Sequence, residues 1–206
     1  QERVLRLFDA AGAASAGIDS LRLGPNVSFW GTINYDETTE RLSPRVLDRT
    51  GMIFLGVRDV VPSPLNGSQD APAKGILAKQ LLERFVRPAN ECPEMCWQVL
   101  EPLLMMLKKP TEEWGVGIDL SPRVLEGVKR YLANSKDLLQ PGRAVDFVLE
   151  QRILPVVRGR GPKFSARIRA FAERLSEQGL ERSLAHVRET LALAESNFGD
   201  VDFLAY

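Results

Sequence analysis

The chain has 206 residues and a balanced charge, with 27 Lys and Arg side chains against 27 Asp and Glu. Hydrophobic residues make up 44% of the sequence and charged residues 26%, which is typical of a globular protein of one or two domains. The balanced charge argues against a protein that coats nucleic acid. No apolar run approaches the ~20 residues that a membrane span needs. We therefore expect a cytoplasmic protein without membrane contacts.

The first quarter of the chain predicts a small α/β segment. Residues 2–14 favour a short helix, and SPRVLDR at 43–49 favours another. NVSFWGTI at 26–33 and GMIFLGV at 51–57 are rich in β-branched, aromatic and apolar residues, which predicts two strands. The second is apolar enough to be buried on both faces of a parallel sheet. Because two strands do not form such a sheet alone, residues 1–57 are interpreted as the remnant of a larger α/β domain.

The hexapeptide LSPRVL occurs twice, at 42–47 and at 120–125. Ser43 and Ser121 are N-cap candidates, and the proline after each suits the first position of a helix. The sequences on either side of the two copies are unrelated. We interpret the hexapeptide as a way of starting a helix that is used twice, and not as an internal repeat.

The rest of the chain predicts a linker followed by a helical bundle. Residues 58–73 are rich in Pro, Gly, Ser and Asn and predict the linker. From residue 74 to residue 206, apolar residues recur at helical spacing, which predicts an all-helical domain. The predicted fold class is mainly α with a small α/β remnant. The predicted helices are KGILAKQLLERFV, EMCWQVLEPLLMMLKK, SPRVLEGVKRYLANS, GRAVDFVLEQRIL, KFSARIRAFAERLSEQ and RSLAHVRETLALAESNF.

The sulfur and imidazole side chains do not predict a metal site. Cys92 and Cys96 form a CxxxC pair, and His186 lies far from them in the sequence. A structural zinc site needs four ligands, so the cysteines are interpreted as free thiols. His186, the single histidine, lies among apolar residues of the last predicted helix and is interpreted as structural.

Asn34 is the first candidate for chemistry. It follows the predicted strand FWGTI, and the carboxyl ends of strands in open α/β sheets face the ligand crevice. Its amide both donates and accepts hydrogen bonds and can orient a water molecule. The alternative is that Asn34 only begins a turn with Asp36.

The stretch NVSFWGTINYDETTERLSPRVLDRTGMIFL resembles the second half of an AAA+ ATPase core, in the branch of the MoxR-type ATPases and the McrB-type restriction motor. The shared features are a strand ending in G-T-x-N, then D-x-T-T, then a Ser-Pro helix that closes in Leu-Asp-Arg. GIDLSPRVLEGVKRYL, AVDFVLEQRILPVVRG and ESNFGDVDFLAY resemble the lid of McrB-like members. The resemblance covers residues 18–57 and 115–206. It implies an AAA+ core remnant followed by an all-helical lid.

The resemblance also implies roles for four residues. Asn34 corresponds to sensor 1, which positions the attacking water. Arg49 corresponds to the arginine finger, whose forked guanidinium stabilises charge on the γ-phosphoryl group bound by a neighbouring subunit. Arg45, one turn earlier, is a weaker candidate for the same catalytic task or for a subunit ion pair. Arg123 corresponds to sensor 2, a nucleotide-binding residue of the lid. The alternative for each arginine is a solvated side chain near the start of a helix.

The implied function is that of a McrB-like motor in DNA restriction or nucleic-acid processing. Its cofactors would be ATP or GTP with Mg²⁺. Its partners would be neighbouring copies in a homo-oligomeric ring such as a hexamer, together with DNA or a nuclease or effector subunit.

The chain contains neither a G-x-x-x-x-G-K-[ST] motif nor an apolar strand ending in paired acidic residues. We therefore expect it to be the C-terminal piece of a longer ATPase, inactive in hydrolysis by itself. The alternative is a non-catalytic helical module for protein interaction, with vestigial nucleotide features.

A basic segment follows in the lid region. Between residues 152 and 174 there are seven basic side chains and one acidic side chain. Such a segment can grip a phosphate backbone, and the alternative is a solvated helix face. The candidates for nucleic-acid contact are Arg158, Arg160, Lys163 and Arg167.

Overall fold

Helices dominate the part of the chain that the structure describes, as the sequence predicts. The computed structural model describes residues 3–6, 20–24, 27, 29–33, 42–54, 86–196 and 198–204. The chain divides into two units, residues 1–34 and residues 35–206. The predicted linker at 58–73 and all but the last residue of the predicted helix at 74–86 lie outside the described residues. None of the described helices combines the length and the apolar character that a membrane crossing requires.

The first unit contains a two-stranded sheet where the sequence predicts a helix. Strands β1 (Arg3–Arg6) and β2 (Ser20–Leu23) pair antiparallel, with Arg3 opposite Leu23. The helix predicted over 2–14 is therefore wrong at residues 3–6. A short isolated helix is marginal in water, and here a complementary strand is available for pairing instead.

The two strands predicted from apolar content are also wrong where the structure describes them. Residues 27 and 29–33 form no strand, and Trp30 in that segment is 87% exposed. Residues 51–54 form no strand either. β-Propensity reports how well a side chain suits a packed sheet, so residues with high propensity need a sheet to join. The described residues place no neighbouring strand beside either segment.

The second unit consists of helices joined by short connections. The last five predicted helices are confirmed, and most of their ends agree with the prediction within one or two residues. The elements are α1 (Pro44–Leu47), α2 (Glu94–Lys108), α3 (Pro122–Ser135), α4 (Pro141–Val148), β3 (Arg158–Arg160), α5 (Pro162–Glu177), α6 (Glu181–Ser196) and β4 (Asp200–Asp202). A 3₁₀ turn (Ala89–Glu91) precedes α2, and a π-helical segment (Leu149–Ile153) and a 3₁₀ turn (Leu154–Val156) extend α4.

One hydrophobic core joins helices α2 to α6. The side chains that point into it have almost no exposed surface, and full burial of one such side chain contributes about 1.5–3 kcal/mol. The core also takes in residues beyond the last helix. Representative members, from α2 to the end of the chain, are Leu100, Leu132, Leu149, Phe171, Val201 and Phe203.

A second two-stranded sheet joins the segment before α5 to the segment after α6. Strand β3 pairs antiparallel with β4, so Arg158 lies opposite Asp202 and Arg160 lies opposite Asp200. Gly159, in the middle of β3, has to be glycine because a Cβ there would lie 2.4 Å from the ring of Phe164. The sheet therefore ties both ends of the α5–α6 pair together.

Candidate functional site

A hydrogen bond joins the residue directly after the first LSPRVL segment to the second segment. The Ser121 hydroxyl at the start of α3 donates a hydrogen bond to Oδ1 of Asp48, at 3.0 Å, directly after α1. The Ser121 hydroxyl oxygen also accepts a hydrogen bond from the backbone N–H of Val124 at 3.2 Å and so caps α3. One hydroxyl thus starts a helix and holds a second helix beside it.

The first copy of the hexapeptide starts its helix differently. Ser43 has the extended backbone of an N-cap residue, and Pro44 occupies the first helical position, as predicted. Its side chain makes no capping hydrogen bond, so the predicted Ser43 cap is wrong in its side-chain part. Ser43 is exposed, and a hydroxyl in water has other hydrogen-bond partners. Helix α1 is instead anchored by its buried Leu47.

The contact between the two segments brings three of the candidate arginines near one junction. Arg45 lies in α1, Arg49 follows Asp48 directly, and Arg123 lies two residues after Ser121. All three side chains are exposed. In the described part of the chain, none of the three guanidinium groups forms an ion pair or a hydrogen bond. Asn34, the sensor 1 candidate, lies outside the described residues.

A second contact holds the segment after α1 against the helical bundle. The backbone N–H of Met52 donates to the carbonyl oxygen of Gln151 at 3.0 Å. Gln151 belongs to the π-helical segment, a feature that often occurs at functional sites in helices. The contact places Gly51 beside the next residue of that segment, Arg152.

Arg152 is a functional candidate that the sequence reasoning missed as a site residue. Its guanidinium lies between two glycines. A Cβ on Gly51 would lie 3.4 Å from Nε, and a Cβ on Gly127 in α3 would lie 3.1 Å from Nη1. Burial lowers the pKa of Arg152 from its usual value. The signal in the sequence was Gly127, since a glycine inside a helical pattern usually has a packing or functional reason.

Arg167, one of the four candidates for nucleic-acid contact, is wrongly assigned to that role. Its side chain is fully buried, with 0% exposure, so it cannot reach a phosphate backbone. The guanidinium donates instead to carbonyl oxygens in the last turn of α2 and in the loop that joins α2 to α3. These donors and acceptors lie 2.9–3.2 Å apart, and the acceptors belong to Leu107, Lys109, Gly115 and Val116.

The other three candidates for nucleic-acid contact differ in solvent exposure and in the partners that their charged groups already have. Arg158 is half-buried, with its Nε 3.5 Å from a carboxylate oxygen of Asp202. Arg160 is exposed and forms a 3.5 Å ion pair with Asp200. Lys163 is exposed, and its Nζ donates to a backbone carbonyl oxygen at 2.8 Å. Acidic residues of β4 thus balance the two arginines of β3, and the predicted basic surface is smaller than the sequence indicated.

His186 is structural, as predicted. It is 4% exposed, and its Nε2 lies 3.0 Å from the carbonyl oxygen of Phe203. Its ring makes edge contacts with Phe54 and Phe203. Burial lowers the pKa of His186 to about 4, so the imidazole is neutral at pH 7. Among the described residues, no group of three metal-ligating side chains comes together.

Cys92 and Cys96 are free thiols, as predicted. Cys92 is half-buried just before α2, and Cys96 is buried within that helix. Burial raises the pKa of both thiols. Since the thiolate is the reactive form, these cysteines have little nucleophilic character at neutral pH.

The comparisons with known proteins identify one family. The model of a family described as Domain of unknown function (DUF8727) matches residues 77–198, which is more than half of the chain. The searches of curated proteins and of solved structures gave no match. The matched residues include α2 to α6, so the family's domain is the helical bundle described above. The chain therefore belongs to the DUF8727 family.

Proposed function

We propose that this chain is the sensor and lid portion of an AAA+ nucleoside triphosphatase that works as a ring of copies. The full enzyme would hydrolyse ATP or GTP with Mg²⁺ and act as a McrB-like motor in DNA restriction or nucleic-acid processing. The P-loop and the acidic magnesium-binding strand would lie in sequence upstream of this chain.

The observation that carries the proposal is the hydrogen bond between Asp48 and Ser121. It joins the segment directly after α1, which contains the proposed arginine finger Arg49, to the start of α3, which contains the proposed sensor 2, Arg123. Both side chains are exposed and free of ion pairs in the described part of the chain, so both are available to a phosphate group. A guanidinium suits that task because its rigid fork of donors matches phosphoryl oxygens.

The test uses the protein encoded by the complete gene. Arg49→Ala is expected to lower the rate of nucleotide hydrolysis by roughly 10³–10⁵-fold while leaving nucleotide affinity unchanged. Arg123→Ala is expected to weaken both affinity and hydrolysis. Arg130→Ala is the matched control, because Arg130 is an exposed arginine of the same helix that is paired with Glu126. Wild-type hydrolysis by Arg49→Ala would eliminate the finger assignment.

A non-catalytic interaction module is the second candidate function. The family match favours it, because residues 77–198 contain the helical bundle but neither Asn34 nor Arg49. The sequence upstream of Gln1 in the gene separates the two candidates. A P-loop within ~150 residues, about one domain, supports the motor. An open reading frame that starts at this chain supports the module.

A further inference from the structure

Arg152 is a half-buried cation without a compensating anion. In the described part of the chain its guanidinium takes part in no ion pair and no hydrogen bond. A charged group held partly out of water loses hydration energy that a partner normally restores.

Two acidic residues, one near Arg152 in the sequence and one on the adjacent helix α3, are engaged with other partners. Glu150 accepts a hydrogen bond from Nε of Arg182 at 2.8 Å. On α3, Glu126 is paired with Arg130 at 2.6 Å. Each of these carboxylates therefore already has an arginine partner, and the positive charge of Arg152 stays uncompensated.

Two glycines provide the space that the guanidinium occupies. Gly127 lies inside α3, where glycine costs roughly 0.5–1 kcal/mol relative to alanine. A Cβ at Gly127 would lie 3.1 Å from Nη1 of Arg152, closer than side chains usually approach. Gly51 lies on the other side, where a Cβ would meet Nε at 3.4 Å. The helix thus contains a destabilising residue at the position that makes room for this arginine.

A second cationic residue, Arg123, lies on the face of α3 that contains Gly127. Arg123 precedes Gly127 by four residues, so the two positions are neighbours one helical turn apart. Asp48 is the acidic group that the observed contacts place at this edge of α3, and one of its oxygens is bound to Ser121. Arg123 and Arg152 form no ion pair in the described part of the chain, and Arg49, which is also unpaired there, follows Asp48 directly.

We propose that Arg152, supported by Arg123, binds a phosphate-type oxyanion of a small ligand at the junction of residues 50–52 with helix α3. A guanidinium binds such an anion through two parallel hydrogen bonds, which are stronger than neutral ones. A small ligand fits better than a nucleic-acid backbone because Arg152 is half-buried and flanked by the backbone at Gly51 and Gly127. The inference goes beyond the proposed motor function, since it holds for an interaction module as well.

Nuclear magnetic resonance of the 206-residue chain tests the proposal, with inorganic pyrophosphate as the probe. The ¹⁵N signals of the arginine Nε groups and of the Gly51 and Gly127 amides are followed during titration at constant ionic strength, with chloride as the reference anion. The Arg152 signal is assigned by its loss in Arg152→Met. We expect saturable shifts of all three signals with pyrophosphate and none with chloride.

The variants identify which group binds. Arg152→Met is expected to weaken pyrophosphate binding at least tenfold, as read from the Gly127 amide. Arg130→Met, an exposed arginine of α3, is expected to leave it unchanged. Gly127→Ala is a second variant that favours the helix but crowds the guanidinium, and it is expected to weaken binding as well.

Three results would overturn the proposal. The first is a pyrophosphate titration without saturable shifts in the unmodified chain. The second is equal affinity in Arg152→Met and the unmodified chain. The third concerns the ligand class: a twelve-nucleotide DNA strand that binds at this site more tightly than pyrophosphate would exclude a small ligand.

Discussion

At the scale of single residues, Arg167 shows how the chain accommodates a buried charge. Its guanidinium donates to backbone carbonyl oxygens in the last turn of α2 and in the α2–α3 loop. Carbonyl dipoles replace the water that the charge loses on folding. Two of the four oxygens, those of Leu107 and Gly115, also accept a backbone N–H group, so the guanidinium adds to hydrogen bonds that already hold the loop. The residue therefore stabilises a loop and takes no part in the exposed basic surface.

Replacement of Arg167 by Met is expected to lower the free energy of unfolding by at least ~3 kcal/mol. Four hydrogen bonds from the charged guanidinium are lost at once, and a hydrogen bond to a charged group contributes about 1.5–3 kcal/mol. Urea denaturation measures the change. Arg169→Met is the control, because Arg169 is exposed and paired with Glu195 at the surface, and a change below ~1 kcal/mol is expected. Equal losses in the two variants would contradict the role of the buried network.

His186 makes the stability of the fold depend on pH. Its pKa is about 4 in the folded chain and ordinarily 6.5, because burial disfavours the charged imidazole. The unfolded chain binds the proton more tightly than the folded chain. The contribution of neutral His186 to the free energy of unfolding is therefore fully present above pH 6.5 and is lost as the pH falls towards 4. The difference in pKa corresponds to roughly 3 kcal/mol over this window.

The expected outcome is a steeper loss of stability on acidification in the wild type than in His186→Gln. Urea denaturation at pH 7.0, 5.5 and 4.0 measures it, and the difference between the two proteins removes the contribution of the carboxylates. Parallel pH profiles would show that His186 does not titrate in this window.

At the scale of elements, the two copies of LSPRVL provide a matched pair for testing a helix cap. Ser121→Ala removes both the cap of α3 and the hydrogen bond to Asp48, so the free energy of unfolding is expected to fall by ~1–2 kcal/mol. Ser43→Ala removes a side chain that makes no capping bond, and a change within ~0.5 kcal/mol is expected. Thermal denaturation of both variants compares them. A larger loss of stability in Ser43→Ala than in Ser121→Ala would contradict the conclusion that only Ser121 caps its helix through its side chain.

The turn after α2 depends on a glycine. A Cβ on Gly117 would lie 1.8 Å from the carbonyl oxygen of Lys108, so Gly117→Ala forces backbone atoms apart. A loss of about 1–3 kcal/mol is expected in chemical denaturation. Gly142→Ala in α4 meets no atom within 4 Å and is expected to be neutral or to stabilise by up to ~1 kcal/mol. Similar effects at both glycines would show that the contact at Gly117 relaxes freely.

The sequence was sufficient to predict the helices of the bundle but not to predict the strands. Apolar spacing predicts α2 to α6 because a helix is specified by residues close together in the chain. Residues 29–33 and 51–54 have the composition of strands but form none, since a strand also needs partners that composition does not supply. The β3–β4 sheet went unpredicted because each strand has only three residues.

The candidate site was predicted in part. The LSPRVL segments drew attention to Arg49 and Arg123, and their catalytic and nucleotide-binding roles stay predictions. The contact between the segments depends on one side-chain hydrogen bond across 73 positions of the chain, which no local pattern reveals. The assignment of Arg167 to nucleic-acid contact is wrong because a run of basic residues in the sequence does not show which of their side chains are buried.

At the scale of the whole molecule, the hydrophobic core extends past the family match. The match ends at residue 198, whereas Val201 and Phe203 have 0% exposure and belong to the core. The strand β4 and the residues after it are therefore part of the folded domain.

Two fragments test this boundary. The fragment 77–206 is expected to unfold cooperatively on heating, because the whole core cluster lies within it. The fragment 77–198 is expected to lose more than ~4 kcal/mol, since truncation of a single buried Phe already costs about 3–5 kcal/mol. Circular dichroism measures both, with Phe203→Ala in the 206-residue chain as the reference for one lost side chain. Equal melting temperatures of the two fragments would place the end of the domain at residue 198.

The π-helical segment has a consequence for changes in chain length. An α-helix turns by about 100° per residue, so the extra residue in a wider turn rotates the side chains after it by a similar angle. The direction of Arg152 towards Gly127 therefore depends on the number of residues between it and α4, as well as on their identity. A single-residue deletion at 149–151 would keep the composition and helical propensity almost unchanged, yet it would turn Arg152 away from Gly127.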